Sequence, residues 1–180
     1  MCGIAGLVGV PREPAVLEGM LGALRHRGPD DRGTLALKHA TGTVRLGSTR
    51  LAIINLSPAG HMPMRDARNG NALVYNGEVY NFRELRDELE GHGERFQSAT
   101  DTEVVLKAYG RWGRGCIERL QGMFAFALWD PAAGELSLAR DRLGEKPLYY
   151  WNQGGFAFAS EVRALLASGL VPRRLNYAAG

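Results

Sequence analysis

Apolar and polar positions in the first third of the chain predict short strands and one helix. Residues 2–9 form an apolar run that ends at a glycine, which is typical of a short buried strand. Residues 14–25 carry apolar side chains at helical spacing. Further strands are predicted at residues 34–37, 43–46 and 50–54, and a long loop that contains proline and glycine follows them.

The middle of the chain predicts a strand followed by two consecutive helices. Residues 72–75 are apolar and run directly into Asn76-Gly77, a pair that usually forms a tight hairpin turn between strands. One helix is predicted after Asn81 and another after Thr100. Each of these residues has a glutamate three positions later, as in a capping box.

The last third predicts a meander of strands and a closing helix. Residues 123–129 are apolar at successive positions, so this strand needs cover on both faces. Shorter strands are predicted at residues 136–139, 148–151 and 156–159, and Ser160 is placed to cap the final helix. Strands at short spacing, with helices between and after them, predict an α+β fold of two stacked sheets flanked by helices.

Composition narrows the class of protein without identifying it. The 180 residues are enough for one domain with its own hydrophobic core. The 22 basic and 19 acidic side chains are mixed along the chain, so the net charge of +3 gives no basic stripe for nucleic acid. No apolar run is long enough to span a membrane and no leader precedes Cys2, which predicts a cytoplasmic protein. We expect one domain over residues 1–170 and an unpatterned tail at residues 171–180.

Cys2 is the residue with the clearest candidate role in catalysis. Removal of Met1 would give one residue both a thiol and a free α-amine, and an amine that titrates near ~7.7–8.0 can accept the thiol proton near neutral pH. The alternative is a small apolar side chain in a buried strand, since free cysteine is among the most buried residue types. Cys116 lies beside Ile117 and Leu120, which favours a packing role for it. The four histidines show no metal-ligand spacing.

Several motifs that follow one another along the chain carry a resemblance. They are Met1-Cys2-Gly3-Ile4-Ala5-Gly6, His26-Arg27-Gly28-Pro29-Asp30-Asp31, Arg50-Leu51-Ala52-Ile53-Ile54, Tyr75-Asn76-Gly77-Glu78, Thr100-Asp101-Thr102-Glu103, Gly122-Met123-Phe124-Ala125-Phe126 and the run from Arg140 to Tyr150. This set resembles the glutaminase domain of class II glutamine amidotransferases. It is similar in particular to the N-terminal domain of glutamine-hydrolysing asparagine synthetases. The resemblance implies a four-layer αββα sandwich of the N-terminal-nucleophile hydrolase type.

The resemblance also implies a reaction, the hydrolysis of L-glutamine to glutamate and ammonia, and assigns residues to it. Cys2 would attack the side-chain amide, and Asn76 with the main-chain N–H of Gly77 would hold the oxyanion. Arg50 would bind the α-carboxylate of glutamine and Asp101 its α-ammonium. The family's remaining substrate contacts fall on Leu51, Ile53, Ile54 and Glu78.

These assignments have plainer alternatives. Asn76-Gly77 would be an ordinary hairpin turn, Asp101 a helix cap and Arg50 a solvated surface group. The charged run Arg140-Asp141-Arg142 is expected to be a structural ion-pair network that positions strands, and not part of the chemistry.

The resemblance implies a partner as well. Family members continue into an ATP-binding synthetase domain with a phosphate loop rich in serine and glycine, and no such motif occurs in this sequence. We expect no cofactor in this domain, with ATP and Mg²⁺ confined to a synthetase domain that acts on aspartate in cis or in trans. Other interpretations stay open: another ammonia acceptor in secondary metabolism or polysaccharide synthesis, a non-catalytic module that senses glutamine or docks a partner, and an N-terminal-nucleophile peptidase or acylase. Homo-oligomerisation also stays open.

Overall fold

The computed structural model describes residues 1–10, 12–39, 42–51 and 58–174. The strands in these ranges are β1 (Gly3–Val8), β2 (Asp31–His39), β3 (Gly42–Arg50), β4 (Met64–Arg65), β5 (Ala72–Val79), β6 (Gly122–Asp130), β7 (Glu135–Arg140), β8 (Tyr149–Trp151) and β9 (Phe156–Ala159). The α-helices are α1 (Glu13–Ala23), α2 (Phe82–Gly91), α3 (Asp101–Trp112), α4 (Cys116–Arg119) and α5 (Val162–Ala167).

The strands form two antiparallel sheets. The first sheet has the order β2-β3-β1-β9-β8, so that β1 lies at its centre. The second sheet has the order β4-β5-β6-β7, which is a simple meander. Strand β5 pairs with β6 along its whole length, from Ala72 opposite Trp129 to Val79 opposite Gly122.

The alternation of side chains along β1 and β5 explains how the layers stack. In β1, Ile4 packs between the two sheets, whereas Ala5 and Leu7 pack against α1 and α5. In β5, Val74 packs between the sheets and Leu73 packs against α2 and α3. The layers therefore run from α1 and α5 through the two sheets to α2 and α3. This order confirms the predicted four-layer αββα sandwich.

Strand β6 is covered on both faces, as its uninterrupted apolar sequence predicts. Phe126 and Leu128 pack on the side of α2 and α3, whereas Ala127 and Trp129 pack between the sheets. Each large side chain buried in this way stabilises the fold by about 1.5–3 kcal/mol relative to exposure.

Helix α3 begins at the predicted cap. The Thr100 hydroxyl accepts a hydrogen bond from the main-chain N–H of Glu103 at 3.3 Å. The Glu103 carboxylate does not complete a capping box, because it accepts from the N–H groups of Gln97 and Ser98 instead. Residues 101–109 of α3 are all buried, which sets the first turn of this helix deep against β5.

Two other predicted caps are wrong because distant partners engage the side chains. The Asn81 amide donates to the carbonyl of Arg119 and accepts from the N–H of Gln121, and it makes no capping bond to α2. The Ser160 hydroxyl accepts from the N–H of Ile4 at 2.9 Å, and Ser160 N–H donates to the Ile4 carbonyl at 2.9 Å. These two bonds join the end of β9 to β1.

Some boundaries also differ from the prediction. Strands β2 and β3 are longer than predicted because they pair with each other along their full length. Arg50 ends β3 and does not begin a strand at residues 50–54, of which residues 52–54 lie outside the described ranges. Of the predicted tail, residues 175–180 also lie outside them. Across the described residues, the structure contains no helix with the length and hydropathy needed to cross a bilayer.

Candidate active site

A cavity of about 170 Å³ opens where the residue before β1, the ends of β3 and β5 and the start of α3 meet. Its lining includes these predicted site residues: Cys2, Arg50, Leu51, Asn76, Gly77, Glu78 and Asp101. Ile53 and Ile54, the other predicted lining residues, lie outside the described ranges. Side chains that are far apart in the sequence are thus brought to one place by the two sheets.

Cys2 lies immediately before β1 and is half-buried in the cavity wall. Its Sγ is 3.9 Å from the main-chain oxygen of Leu51. The Cys2 carbonyl accepts a hydrogen bond from Nε of Arg27 at 2.9 Å, and Glu161 pairs with the same guanidinium at 2.8 Å. The main chain at Cys2 is therefore held in place while its thiol borders the cavity.

The second cysteine has opposite surroundings. Cys116 is fully buried in the core between the second sheet and its helices, and burial raises the pKa of its thiol to about 12. Such a thiol is protonated near neutral pH, whereas the nucleophilic form is the thiolate. The packing role predicted for Cys116 is confirmed.

Asn76 carries the buried side-chain donor that the structure leaves unsatisfied. The residue is 1 % exposed, and within the described part of the chain its Nδ2 has no hydrogen-bond partner. A buried donor without an acceptor costs roughly 1–3 kcal/mol. Because Asn76 lines the cavity, an acceptor bound there could satisfy this donor.

The Asn76-Gly77 pair does not form the hairpin turn that is its plainer alternative. Both residues lie inside β5, opposite Ala125 and Phe124 of β6. A side-chain carbon at Gly77 would overlap the main-chain oxygen of Met123 and the Cα of Phe124. The close approach of β6 therefore requires glycine here, independently of any role of the Gly77 N–H in the cavity.

Asp101 is the first residue of α3, and Thr100 occupies the cap position, so the alternative of Asp101 as the cap is wrong. Its Oδ2 accepts hydrogen bonds from the Tyr75 hydroxyl at 2.7 Å and from the N–H of Val79 at 3.1 Å. Its Oδ1 accepts from the N–H of Thr102 at 2.9 Å. Burial raises the pKa of Asp101 and outweighs these hydrogen bonds, which lower it. A desolvated carboxylate of this kind favours a cationic ligand.

Arg50 is buried at the end of β3, so it is not a solvated surface group. A side-chain carbon at Gly60 would overlap its guanidinium, which shows how closely the main chain covers it. Glu78 lies at the exposed end of β5, two residues beyond Asn76 on the same face of the strand. The cavity thus holds side chains of both charges, as a zwitterionic ligand requires. In the ranges that the structure describes, no three histidine, cysteine, aspartate or glutamate side chains are placed to hold a metal ion.

Several residues that line the cavity have no role in the sequence-based prediction: Met62, Tyr75, Thr102, Met123 and Lys146. Alternation along β5 places Tyr75 on the opposite face from Asn76, and it reaches the site only because α3 packs over that face. Lys146 is buried, with its Nζ 3.5 Å from Sδ of Met1. No local pattern marks either residue, although both belong to the motifs that carry the resemblance.

The loop after β7 is organised by one carboxylate. Asp141 accepts hydrogen bonds from the main-chain N–H groups of Phe124, Leu143, Glu145 and Lys146. Burial raises the pKa of Asp141, but the main-chain donors outweigh burial and hold this pKa below its usual range. Arg140 and Arg142 also bond to main-chain oxygens. The predicted structural role is correct, but the predicted ion-pair network is wrong: in the part of the chain that the structure describes, these three side chains bond to main-chain groups instead.

Comparison with known proteins finds a matching family and related synthetases. It matches the glutamine amidotransferase domain family over residues 1–179. Asparagine synthetase (glutamine-hydrolyzing) 3 of Bacillus subtilis is 39% identical over 183 residues, which cover 98% of this chain and 29% of that protein. A putative asparagine synthetase (glutamine-hydrolyzing) of Mycobacterium tuberculosis is 44% identical over 182 residues, covering 92% of this chain and 28% of that protein. The chain spans less than a third of the length of these two relatives.

A solved structure shares the fold. The glutamine phosphoribosylpyrophosphate amidotransferase of Bacillus subtilis, complexed with ADP and GMP, has a TM-score of 0.80 at 25% identity. The likeness covers 93% of this chain and 44% of that one, and it confirms the N-terminal-nucleophile hydrolase type of the sandwich. The chain therefore belongs to the glutamine amidotransferase domain family, and the asparagine synthetases related to it match it with their amino-terminal part.

Proposed function

We propose that this chain hydrolyses L-glutamine to glutamate and ammonia in the cavity beside Cys2, after Met1 has been removed. The observation that carries the proposal is the Nδ2 of Asn76, a buried donor in the same cavity as the thiol that has no hydrogen-bond partner among the described residues. Attack of a thiol on an amide produces an oxyanion, and a donor fixed in advance stabilises it without reorganisation.

Removal of Met1 would convert the Cys2 nitrogen into a free α-amine beside its own thiol. Met1 is 55 % exposed, so an aminopeptidase can reach it. Its Sδ lies 3.5 Å from Nζ of Lys146 and 3.9 Å from Nη2 of Arg27. The departure of Met1 would leave these two cations beside the space of its side chain, with Nε of Arg27 still 2.9 Å from the Cys2 carbonyl. Nearby positive charge favours the neutral amine, which is the form that accepts the thiol proton.

The chemical steps then follow from the groups in the cavity. Sγ of Cys2 bonds to the side-chain carbonyl carbon of glutamine, and the thiol proton passes to the α-amine. Nδ2 of Asn76 and the N–H of Gly77 donate to the oxyanion. The carbon–nitrogen bond breaks, the α-amine returns the proton to the leaving nitrogen, and ammonia departs from a thioester. Water hydrolyses the thioester to glutamate and restores the thiol.

Recognition of glutamine depends on its two charged groups. The planar guanidinium of Arg50 suits the α-carboxylate, because its fork can make two parallel hydrogen bonds. Asp101 suits the α-ammonium, with Glu78 at the exposed rim as a second carboxylate. An amide that lacks these groups forgoes both contacts, so the cavity selects an amino acid amide.

We further propose that the ammonia serves the synthesis of asparagine from aspartate in an ATP-dependent domain, joined in cis or acting in trans. The names of the two related synthetases support this assignment, as does the large part of their length that lies outside the match. ATP and Mg²⁺ would bind in that other domain.

Variants of Cys2 and Asn76 test the glutaminase proposal. We expect Cys2→Ala to abolish glutamate formation while glutamine still binds, because the charged groups that recognise glutamine remain. Asn76→Ala should mainly lower kcat, by roughly 10²–10³-fold. Asn71, a second buried asparagine just before β5, lies outside the cavity lining, so Asn71→Ala is the matched control. A dominant effect of Asn76→Ala on KM would assign it to substrate binding instead.

Mass spectrometry tests the nucleophile and its processing. Intact-mass analysis of active protein should show the loss of Met1. The electrophilic glutamine analogue 6-diazo-5-oxonorleucine should modify Cys2 and spare Cys116. Full activity with Met1 retained, or preferential labelling of Cys116, would contradict the mechanism.

The role of the second domain is tested separately. With aspartate, ATP and glutamine, this chain alone should release ammonia but form no asparagine. Addition of the ATP-dependent domain should restore asparagine formation. Aspartate-dependent cleavage of ATP by residues 1–180 alone would overturn this part of the proposal.

A further inference from the structure

We infer that Tyr75 is a positioning residue for Asp101, because its hydroxyl holds one carboxylate oxygen so that the other faces the α-ammonium of the substrate. The inference rests on the proposed function, since it concerns how the same cavity recognises glutamine. A residue on the core-facing side of β5 would then contribute to substrate selection.

The hydrogen bond joins the core of the sandwich to the cavity. Tyr75 is buried on the face of β5 that packs against α2 and α3, and its phenol also lines the cavity. Its hydroxyl donates to Oδ2 of Asp101 at 2.7 Å. This distance is typical of a hydroxyl bound to an acceptor, and such bonds to charged groups are the stronger ones.

The donors around Asp101 are divided unequally between its two oxygens. Oδ2 accepts from Tyr75 and from the N–H of Val79, whereas Oδ1 accepts only from the N–H of Thr102 among the described residues. An ionised carboxylate offers about four lone-pair positions, two on each oxygen. Oδ2 is therefore filled and Oδ1 keeps one position open. This open position is where an ammonium N–H would bind.

Tyr75 is the side-chain donor in this arrangement. The N–H groups of Val79 and Thr102 belong to β5 and α3, so any sequence with this fold would supply them. The Tyr75 hydroxyl, in contrast, depends on the residue type. Without it, Oδ2 would regain an open position, and the carboxylate could turn or bind the ammonium through either oxygen.

Other charged groups share the cavity with Asp101. Glu78 follows on β5, and Arg50 and Lys146 line the cavity from β3 and from the loop after β7. Burial raises the pKa of Asp101 and so does Glu78, whereas the hydrogen bond from Tyr75 lowers it. Loss of the Tyr75 hydroxyl should raise the pKa of Asp101 further. Asp101 would then become neutral at a higher pH and lose its attraction for the ammonium.

Tyr75→Phe tests the inference, with Tyr109→Phe as the matched control. Tyr109 is buried in the same core, and its hydroxyl lies 3.2 Å from Oγ of Ser137, outside the cavity lining. We expect Tyr75→Phe to raise the KM for glutamine roughly 5- to 20-fold with kcat nearly unchanged, because the contact exists in ground and transition states. The acid limb of kcat/KM should also move to higher pH. An unchanged KM, or an equal effect of Tyr109→Phe, would overturn the inference.

Binding measurements separate this inference from the proposed function. In the Cys2→Ala background, calorimetry should show that Tyr75→Phe weakens glutamine binding by a similar factor. Binding of glutaramic acid, which lacks the α-ammonium, should not change. If glutamine binds but the unsubstituted chain never hydrolyses it, the proposed function fails and the inference stands. If hydrolysis occurs and Tyr75→Phe weakens both ligands equally, the inference alone fails.

A measurement on the unsubstituted protein covers the case in which Tyr75→Phe does not fold. With tyrosine labelled with ¹³C at Cζ, saturating glutamine should move the Tyr75 resonance and leave that of Tyr109 in place. Glutaramic acid should move the Tyr75 resonance far less. An equal response of Tyr75 to the two ligands would contradict the assignment.

Discussion

Two buried aspartates, one at the start of α3 and one in the loop after β7, have similar exposure and opposite chemistry. Asp101 is 6 % exposed and Asp141 is 7 % exposed. Burial raises the pKa of Asp101 above its usual range. Burial also raises that of Asp141, but main-chain donors outweigh it and the pKa lies below the usual range. The exposed fraction of the residue alone therefore does not decide the direction in which the pKa of a carboxylate moves in this fold.

Depth of burial and the number of hydrogen-bond donors together separate the two carboxylates: Asp101 lies deeper in the protein, and Asp141 has more donors. Four main-chain N–H groups bond to the oxygens of Asp141, two to each oxygen. Among the described residues, Asp101 has three donors, which leaves one position open. A carboxylate whose acceptor positions are all filled by main-chain donors stabilises its loop and needs no ligand. A carboxylate with an open acceptor position can still bind a cationic group. Under the proposed function, the difference would distinguish a structural aspartate, Asp141, from a substrate-binding one, Asp101.

The largest effect should come from Asp101→Asn, which removes the charge and keeps the shape. We expect the KM for glutamine to rise roughly 100-fold with a smaller change in kcat, because the ammonium loses a charged partner. The free energy of unfolding should change little, since a desolvated charge disappears at the same time. Steady-state kinetics and urea unfolding measure both quantities. A loss carried mainly by kcat would remove Asp101 from the binding role.

Asp141→Asn should show the reverse pattern. The amide –NH₂ would face N–H groups that need an acceptor, so we expect the free energy of unfolding to fall by about 2–3 kcal/mol. Urea unfolding of the Asp141→Asn and Asp101→Asn variants, measured side by side, tests this expectation. An equal loss of stability in the two variants would contradict the distinction drawn from their donors.

Thr100→Ala should have a more modest effect, confined to the Asp101 side of the comparison. Loss of the helix cap should lower the free energy of unfolding by about 1 kcal/mol and slightly raise the KM for glutamine, because the first turn of α3 loosens. Asn81→Ala is the control, since its side chain bonds distant main-chain groups and lies outside the cavity lining. A KM increase in Asn81→Ala as large as in Thr100→Ala would show that the effect is not local.

The smallest expected effect is on the pH dependence of stability. The raised pKa of Asp101 stabilises the folded state below the unfolded pKa, near ~3.9, and this contribution is lost as pH rises through the folded pKa. The lowered pKa of Asp141 stabilises above ~3.9, and that contribution is lost as pH falls through the folded pKa. Urea unfolding across pH should show that the two Asn variants alter opposite limbs. A change in the same limb would refute the signs.

The layered fold was predictable because alternation along single strands decides which side chains are buried. Caps were predictable only where the partner is near in sequence, as at Thr100. The caps predicted at Asn81 and Ser160 were wrong because the hydrogen-bond partners of these side chains lie 38 and 156 residues away. Rules of local sequence contain no information about such contacts.

The candidate site shows the same limit. The motifs named Cys2, Asn76 and Asp101, and the structure brings them to one cavity, while their catalytic roles stay predictions. Local sequence suggests a turn at Asn76-Gly77 because it does not reveal the pairing of β5 with β6. The contact of Tyr75 with the site was not predicted because its partner lies 26 residues away, on a helix that packs over the face of β5 that carries Tyr75.

The central place of β1 sets an order of events during synthesis. Its partner β3 is complete at Arg50, whereas β9 begins only at Phe156 and Ser160 then bonds Ile4. At about 5–20 residues per second, the 156 residues from Ala5 to Ser160 take on the order of 10–30 s to translate. During that interval one edge of β1 has no neighbour, although Met1 stays exposed even in the finished fold. The last strand to be made thus completes the sheet around the strand that follows Cys2, without closing access to the amino terminus.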